Sequence, residues 1–262
     1  MSDASKARGA AGWPDEAWPE SPRAPAPRDP AELPLGLAPL PPEEPEAPPA
    51  AELTEEERAT LALFTAAREQ SDHGDVGGAI ATYRQLLAQT PTYVKARNNL
   101  ALLLERRGDV AGAIAELDRA LELDADNVSV LCNRAAMHGA ALRYDKAEVD
   151  LRRALRVDES SAEVLTSLGI LFCRRGRWRE AVDPLRRAVD VDPGRPTAHY
   201  YLGEAYNHID QLPAALAAYE AAASLQPGNW RAYKGVGIVL DRMGRPAEAA
   251  VAYQRAREGQ RR

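Results

Sequence analysis

The sequence predicts an all-α chain of repeated helical hairpins, preceded by a tail that does not fold. Three observations lead there. Small and large apolar residues recur with a 34-residue period from residue 60 to the end of the chain. Within each period they fall on two helical faces, with steps of three and four residues, separated by a break that usually holds Gly. Residues 1–51, by contrast, contain 13 of the 20 prolines and only scattered apolar side chains. Such a segment cannot bury enough surface to offset the entropy of ordering.

The composition narrows the function classes. The chain has 262 residues and a net charge of −6. Residues 1–51 carry nine acids against four bases, a net of −5, which leaves −1 for residues 52–262. No strongly basic face is expected, which argues against nucleic acid and anionic membrane as partners. Only Lys6, Lys95, Lys146 and Lys234 are lysines, so Arg supplies the other 29 of the 33 cations. That bias, with the abundance of Ala and Pro, points to a GC-rich genome and a bacterial source. Cys132 and Cys173 are too few for a disulfide framework. The N-terminus lacks the apolar core of a secretory leader, and no apolar run approaches the ~20 residues of a membrane span. The expectation is a soluble cytoplasmic protein.

Taken in order, the tail contributes one local pattern, Trp13-Pro14 and Trp18-Pro19 around Asp-Glu-Ala. It reads as a Pro-rich linker; the sharper alternative is a short acidic-aromatic segment that docks on a partner or on the chain's own groove. Folded structure is expected from residue 52. Thr54 with Glu57 three residues on forms a capping box, and Glu55, Glu56 and Glu57 suit the positive end of a helix. Six periods follow, at 60–93, 94–127, 128–161, 162–195, 196–229 and 230–262. The third is the weakest, because Leu142 stands where the others place a turn residue such as Gly74 or Gly108.

The fourth period is the clearest. Leu165, Leu168 and Phe172 share one helical face, Gly176 breaks the pattern, and Ala181, Leu185 and Ala188 form the second face. Pro193 cannot continue that second helix. Gly169 and Ala181 are small where a core residue would be large, as expected if the two helices approach closely there. This arrangement resembles the tetratricopeptide repeat (TPR), a 34-residue helix-turn-helix unit. The resemblance covers about four-fifths of the chain and implies a right-handed superhelical α-solenoid of twelve helices, each hairpin packing on its neighbours.

The resemblance also implies a binding face, a concave groove lined by the first helix of each repeat. Carried onto this sequence, the groove residues of interest are Asn98, Asn99, Asn133, Ser167, Arg174, Tyr200, Tyr201 and Asn207. The sixth place of successive repeats reads Thr65, Asn99, Asn133, Ser167, Tyr201 and Gly235, a partial ladder of amides and hydroxyls suited to an extended peptide backbone. The carboxylate clamp of chaperone co-factors is not matched: in its first frame only Asn99 agrees.

No catalytic constellation stands out. His73, His138, His199 and His208 form no His-carboxylate pair at metal-ligand spacing, and no Gly-rich phosphate loop is present. Cys132 and Cys173 map to the groove and read as small surface residues. Arg152-Arg153 and Arg186-Arg187 recur with the period and read as a solvated outer face. Neither a cofactor nor a metal is expected. The functional expectation is a non-enzymatic scaffold that binds a peptide segment of a partner protein. The alternatives left open are an accessory or regulatory subunit of an enzyme complex, and a self-associating scaffold that forms a homo-oligomer.

Overall fold

A computed structural model describes residues 54–261. The expected tail and its two Trp-Pro pairs therefore lie outside the described residues. Within them the chain forms twelve helices and no strand. They pair as hairpins in sequence: α1 (Glu55–Asp72) with α2 (Val76–Gln89), α3 (Val94–Arg106) with α4 (Val110–Leu123), and α5 (Val128–Ala140) with α6 (Tyr144–Val157). Then follow α7 (Ala162–Arg174) with α8 (Trp178–Val191), α9 (Pro196–His208) with α10 (Leu212–Leu225), and α11 (Trp230–Arg242) with α12 (Pro246–Gln260).

The helix boundaries follow local chemistry. At the start of α1 the Glu57 amide donates to Thr54 Oγ1 at 3.2 Å, and the Thr54 amide donates to Glu57 Oε2 at 2.8 Å. That reciprocal pair satisfies two of the amides a helix start leaves orphaned. Asp75, Asp109, Asn127, Ser161 and Asn229 cap later helices through their side chains. Helix α8 ends at Val191 with Asp192 as its cap, two residues before Pro193, and it continues through an internal Pro184.

Each hairpin turn depends on one residue in the left-handed region. These are Gly74 (φ 81°), Gly108 (87°), Leu142 (57°), Gly176 (69°), Asp210 (68°) and Gly244 (75°). Adjacent members are one period apart, so the turn geometry is invariant while the residue is not. A leucine there meets the steric penalty that Gly avoids, about 1–2 kcal/mol. Leu142 is 72% exposed, so packing returns little of that cost.

The hairpins close on a small-against-large contact. The eighth residue of each repeat is Ala67, Ala101, Ala135, Gly169, Gly203 or Gly237, and each of the three alanines has no exposed surface. Opposite Gly169 lies Leu185: a Cβ at residue 169 would sit 2.3 Å from Leu185 Cγ. Tyr219 fills the same role over Gly203, and Tyr253 over Gly237, at 2.8 Å and 2.6 Å from the added Cβ. The close approach expected from the sequence is present, and the atoms that leave no room at these glycines are side chains of the second helix. Ala79, Ala113, Ala147, Ala181, Ala215 and Ala249, at the twentieth place, are all fully buried.

Successive hairpins stack so that first helices also touch one another: α3 meets α5, α5 meets α7, α7 meets α9, and α9 meets α11. The odd-numbered helices therefore form a continuous inner layer, and the even-numbered helices an outer one. The outer arginines behave as expected, with Arg186 paired to Asp183 and Arg187 donating to the Glu159 carbonyl at 2.9 Å. A denser ionic knot lies between the third and fourth repeats, where buried Glu148 accepts from Arg175 at 2.7 Å and Arg177 at 2.8 Å.

Two stability measurements check this packing. Leu142→Gly removes the left-handed strain and is expected to stabilise by about 1 kcal/mol, seen as a higher urea midpoint with an unchanged slope. Gly169→Leu overpacks the α7–α8 contact and is expected to cost about 1–3 kcal/mol; an unchanged melting temperature would contradict the contact.

Candidate functional site

The groove residues named from the sequence sit on the inner layer, but most do not face solvent. Asn98, Asn99, Asn133, Ser167 and Tyr201 are all buried, and Asn133 has no exposed surface. The open ladder expected from the sixth places is instead paired across repeats. The Asn133 amide donates to Asn98 Oδ1 at 2.9 Å, and the Asn99 amide donates to the Tyr83 hydroxyl at 3.1 Å. Neighbouring inner helices pack closely enough to cover these short side chains. A buried amide must then find a partner or forfeit about 1–3 kcal/mol. The neighbouring Thr166 hydroxyl is also engaged, donating to the Ala162 carbonyl at 2.6 Å.

Some polar atoms of this layer have no partner. Asn99 Oδ1, Arg174 Nε, Arg174 Nη2 and the Tyr201 hydroxyl are buried without a hydrogen bond. Asn99 lines a cavity of about 20 Å³ with Arg68, Tyr83 and Arg106, among others, large enough for one water. The other three atoms belong to the boundary between the fourth and fifth repeats. The Cys173 thiol lies 3.9 Å from the Tyr201 carbonyl, which sets the end of α7 against the middle of α9. Arg174 is the last residue of α7. Its charge, with those of Glu204 and Arg231, acts on the Tyr201 hydroxyl.

Aromatic rings wall this place. Tyr200 and Tyr201 meet edge-on with centroids 5.1 Å apart, and Tyr200 lies 5.7 Å from Tyr219. Burial pushes the Tyr201 hydroxyl up to about 12 and raises Tyr200 and Tyr219 as well. Burial alone pushes the Glu204 carboxyl up to about 7; no hydrogen bond or ion pair offsets the cost of its charge. Glu163 on α7 is raised for the same reason, with Arg195 opposing. Asn207, the last of the named residues, is held by Arg242, whose Nη1 donates to the Asn207 carbonyl at 2.7 Å.

Several expectations need correction. Cys132 and Cys173 are not surface residues: each is 4% exposed, and both are free thiols. Burial pushes the Cys132 thiol up to about 12 and raises Cys173 too, so neither is a ready nucleophile at neutral pH. His138 is buried with Nδ1 unpartnered, and burial lowers its pKa. His208 is exposed and stacks flat on Trp178, with centroids 3.8 Å apart and planes 4° apart. Glu204 and Arg231 occupied groove positions in the sequence without standing out. Their convergence on Tyr201 is a property of α9 meeting α7 and α11. Tyr83 was out of view because it belongs to a second helix. Among the described residues, no group of three His, Cys, Asp or Glu could hold a metal ion. No helix among them is long and apolar enough to cross a membrane.

Comparison with known proteins agrees with the fold. The tetratricopeptide repeat family model matches residues 64–128, 138–196, 166–229 and 210–261. The chain belongs to the tetratricopeptide-repeat family. Its TPR architecture is similar to the crystal structure of MamA, at 27% identity over 62% of this chain and 95% of that one, with a TM-score of 0.57. It is similar also to PilF of Pseudomonas aeruginosa, at 18% identity over 76% and 90% of the two chains, with a TM-score of 0.69. YrrB, described as a TPR protein with an unusual peptide-binding site, aligns at 21% identity over 68% and 92%, with a TM-score of 0.57. At these last two identities the likeness is one of fold. No curated protein matches the chain.

The Glu204 carboxyl gives this site a pH signature. Folding raises its pKa from 4.5 to about 7. Its neutral form is the one the fold accepts, so stability is intact below the ordinary carboxylate range and erodes as pH rises through about 7. Glu204→Gln is expected to change stability little near pH 4.5 and to stabilise by ~3 kcal/mol at pH 8, measured by urea denaturation at both.

Proposed function

We propose that this TPR protein is a non-enzymatic scaffold that binds an extended peptide segment of a partner protein along its inner layer of helices. One observation carries this reading. The inner layer holds hydrogen-bonding atoms that are buried and have no partner: Asn99 Oδ1, Arg174 Nε and Nη2, and the Tyr201 hydroxyl. Native structures leave few such atoms, and each costs free energy until something bonds it. Once these side chains turn toward the open face of the layer, a peptide laid along it supplies both kinds of partner, with backbone N–H groups for the amide oxygen and acceptors for the guanidinium and the phenol. The paired Asn98–Asn133 and Asn99–Tyr83 contacts hold the helices that present these atoms. YrrB has the same fold and is described as carrying a peptide-binding site, which supports the same use of the fold here.

The three lysines of the described residues make this testable without knowing the partner. Lys95 on α3 and Lys234 on α11 belong to inner helices, whereas Lys146 lies on outer helix α6, and all three are exposed. Amine-reactive crosslinking of the full chain with a captured partner, followed by mass spectrometry, is expected to join the partner to Lys95 and Lys234. Partner crosslinks confined to Lys146 would place the contact on the outer layer and overturn the reading.

A further inference from the structure

Identical residues at the same place in different repeats show which faces of the stack are closed. At the third place Ala96, Ala198 and Ala232 have no exposed surface, whereas Ala62 on α1 is exposed. At the ninth, Ile170 is 4% exposed and Ile238 on α11 is 36% exposed. At the twenty-fourth, Tyr83 and Tyr219 are buried, but Tyr253 on α12 is only half-buried. Residue type is constant in each comparison. What differs is the presence of a neighbouring hairpin among the described residues. Helix α1 thus has one open face, and α11 with α12 has another.

These two faces carry opposite charge at places that are apolar between them. The tenth place holds Leu103, Met137, Leu171, Ala205 and Val239, all buried, but an exposed Glu69 on α1. Glu55, Arg58, Ala62, Thr65 and Glu69 follow steps of three and four and share that face. The twenty-eighth place holds Leu87, Leu121, Leu155, Val189 and Ala223, but an exposed Arg257 on α12. Lys234 likewise stands where Phe64, Asn98, Cys132, Thr166 and Tyr200 are found earlier. Trp230, Lys234, Tyr253, Ala256, Arg257 and Gln260 line one open cavity of about 480 Å³, with two cations and no acid. Asp241, also on α11, is engaged by the Tyr253 hydroxyl, which donates to its Oδ2 at 2.8 Å. We propose that these faces are the two halves of one self-association contact, in which α1 of a second copy packs head to tail on α11 and α12.

The repeat boundaries inside the chain supply the register. The twenty-fourth residue meets the sixth of the next repeat, as Tyr83 meets Asn99 and Tyr219 meets Gly235. The twenty-seventh and twenty-eighth cluster with the third, as Ala222 and Ala223 do with Ala232. Continued across the contact, this sets Tyr253 over Thr65, and Ala256 and Arg257 against Ala62. Lys234 then lies beside Thr65, one helical turn from Glu69. A face made only to stay soluble would be polar throughout, yet Trp230, Ile238 and Tyr253 remain. Head and tail are different surfaces, so the contact does not close on itself and copies add in one direction. The contact lies at the ends of the stack and is independent of peptide binding along its inner layer.

Sedimentation equilibrium of the full chain tests this. In 0.1 M NaCl the average mass is expected to rise with concentration past that of two chains, and 1 M NaCl is expected to weaken association about tenfold. Ala62→Arg sets a cation against Arg257, and Ile238→Arg sets one on the opposite face. Each alone is expected to hold the chain at the mass of a monomer. Neither should lower the melting temperature, because both side chains are exposed in the free chain. An equimolar mixture of the two variants is expected to stop at the mass of two chains, since one intact head and one intact tail remain. A wild-type chain that stays monomeric to about 0.5 mM would overturn the inference. So would a mixture that stays monomeric, or a dimer that survives Ala62→Arg, which would mean that two like faces meet. The concentration and salt dependence need no variant, so the test stands even if a substitution disturbs folding.

Discussion

The contact between the eighth and twenty-fourth residues of each repeat sets the distance between the two helices of every hairpin, and the rest of the solenoid inherits that distance. Where the eighth residue is Gly, as at Gly169, Gly203 and Gly237, the large partner sits directly on the helix backbone. Tyr219 extends the effect beyond its own hairpin. Its ring covers Gly203 on one side and meets Gly235 of the next repeat on the other, where an added Cβ would lie 2.6 Å from Cε1. One side chain thus couples the spacing within a repeat to the spacing between repeats. In a stack where each unit contacts only its neighbours, such shared contacts supply the cooperativity.

That close spacing explains why the polar residues of the inner layer behave unlike a wet groove. Short amides on neighbouring first helices are pressed together until they lose solvent, so Asn98 and Asn133 bond each other. Longer or ionisable groups meet the same enclosure without finding partners. Glu204, Arg174 and Tyr201 are left with unmet hydrogen-bonding capacity or a displaced pKa. Each is a local cost that the hydrophobic packing of the hairpins carries. Natural proteins concentrate costs of this kind where a ligand relieves them, which ties stability to function at one place.

The parts of the fold legible in the sequence are those governed by near neighbours along the chain. The Thr54–Glu57 capping box, the Gly turns and the alternation of helical faces depend on residues three or four apart, and all appear where they were read. Leu142 shows the limit of residue type as a guide. It weakened the third repeat on paper, yet its φ of 57° matches the glycines at the equivalent turns. The backbone there is dictated by the packing of α5 against α6, and the side chain conforms at a local cost. The cysteines show the reverse. Their placement on the inner layer was right, but the burial that makes them inert comes from helices distant in sequence.

The sequence by itself determined the period, the helices, the turns and which positions belong to the inner layer, because a 34-residue repeat copies one local solution six times and amplifies it above noise. Only the tertiary structure decided which inner residues are spent on holding the stack together and which keep hydrogen bonds to offer. Asn99 and Asn133 occupy the same place in their repeats, yet one keeps an unbonded oxygen while the other is wholly enclosed. The difference lies in their neighbours: Tyr83 from an outer helix in the first case, Asn98 from the preceding inner helix in the second. Partners from other helices are not written into the period, so packing alone could set them.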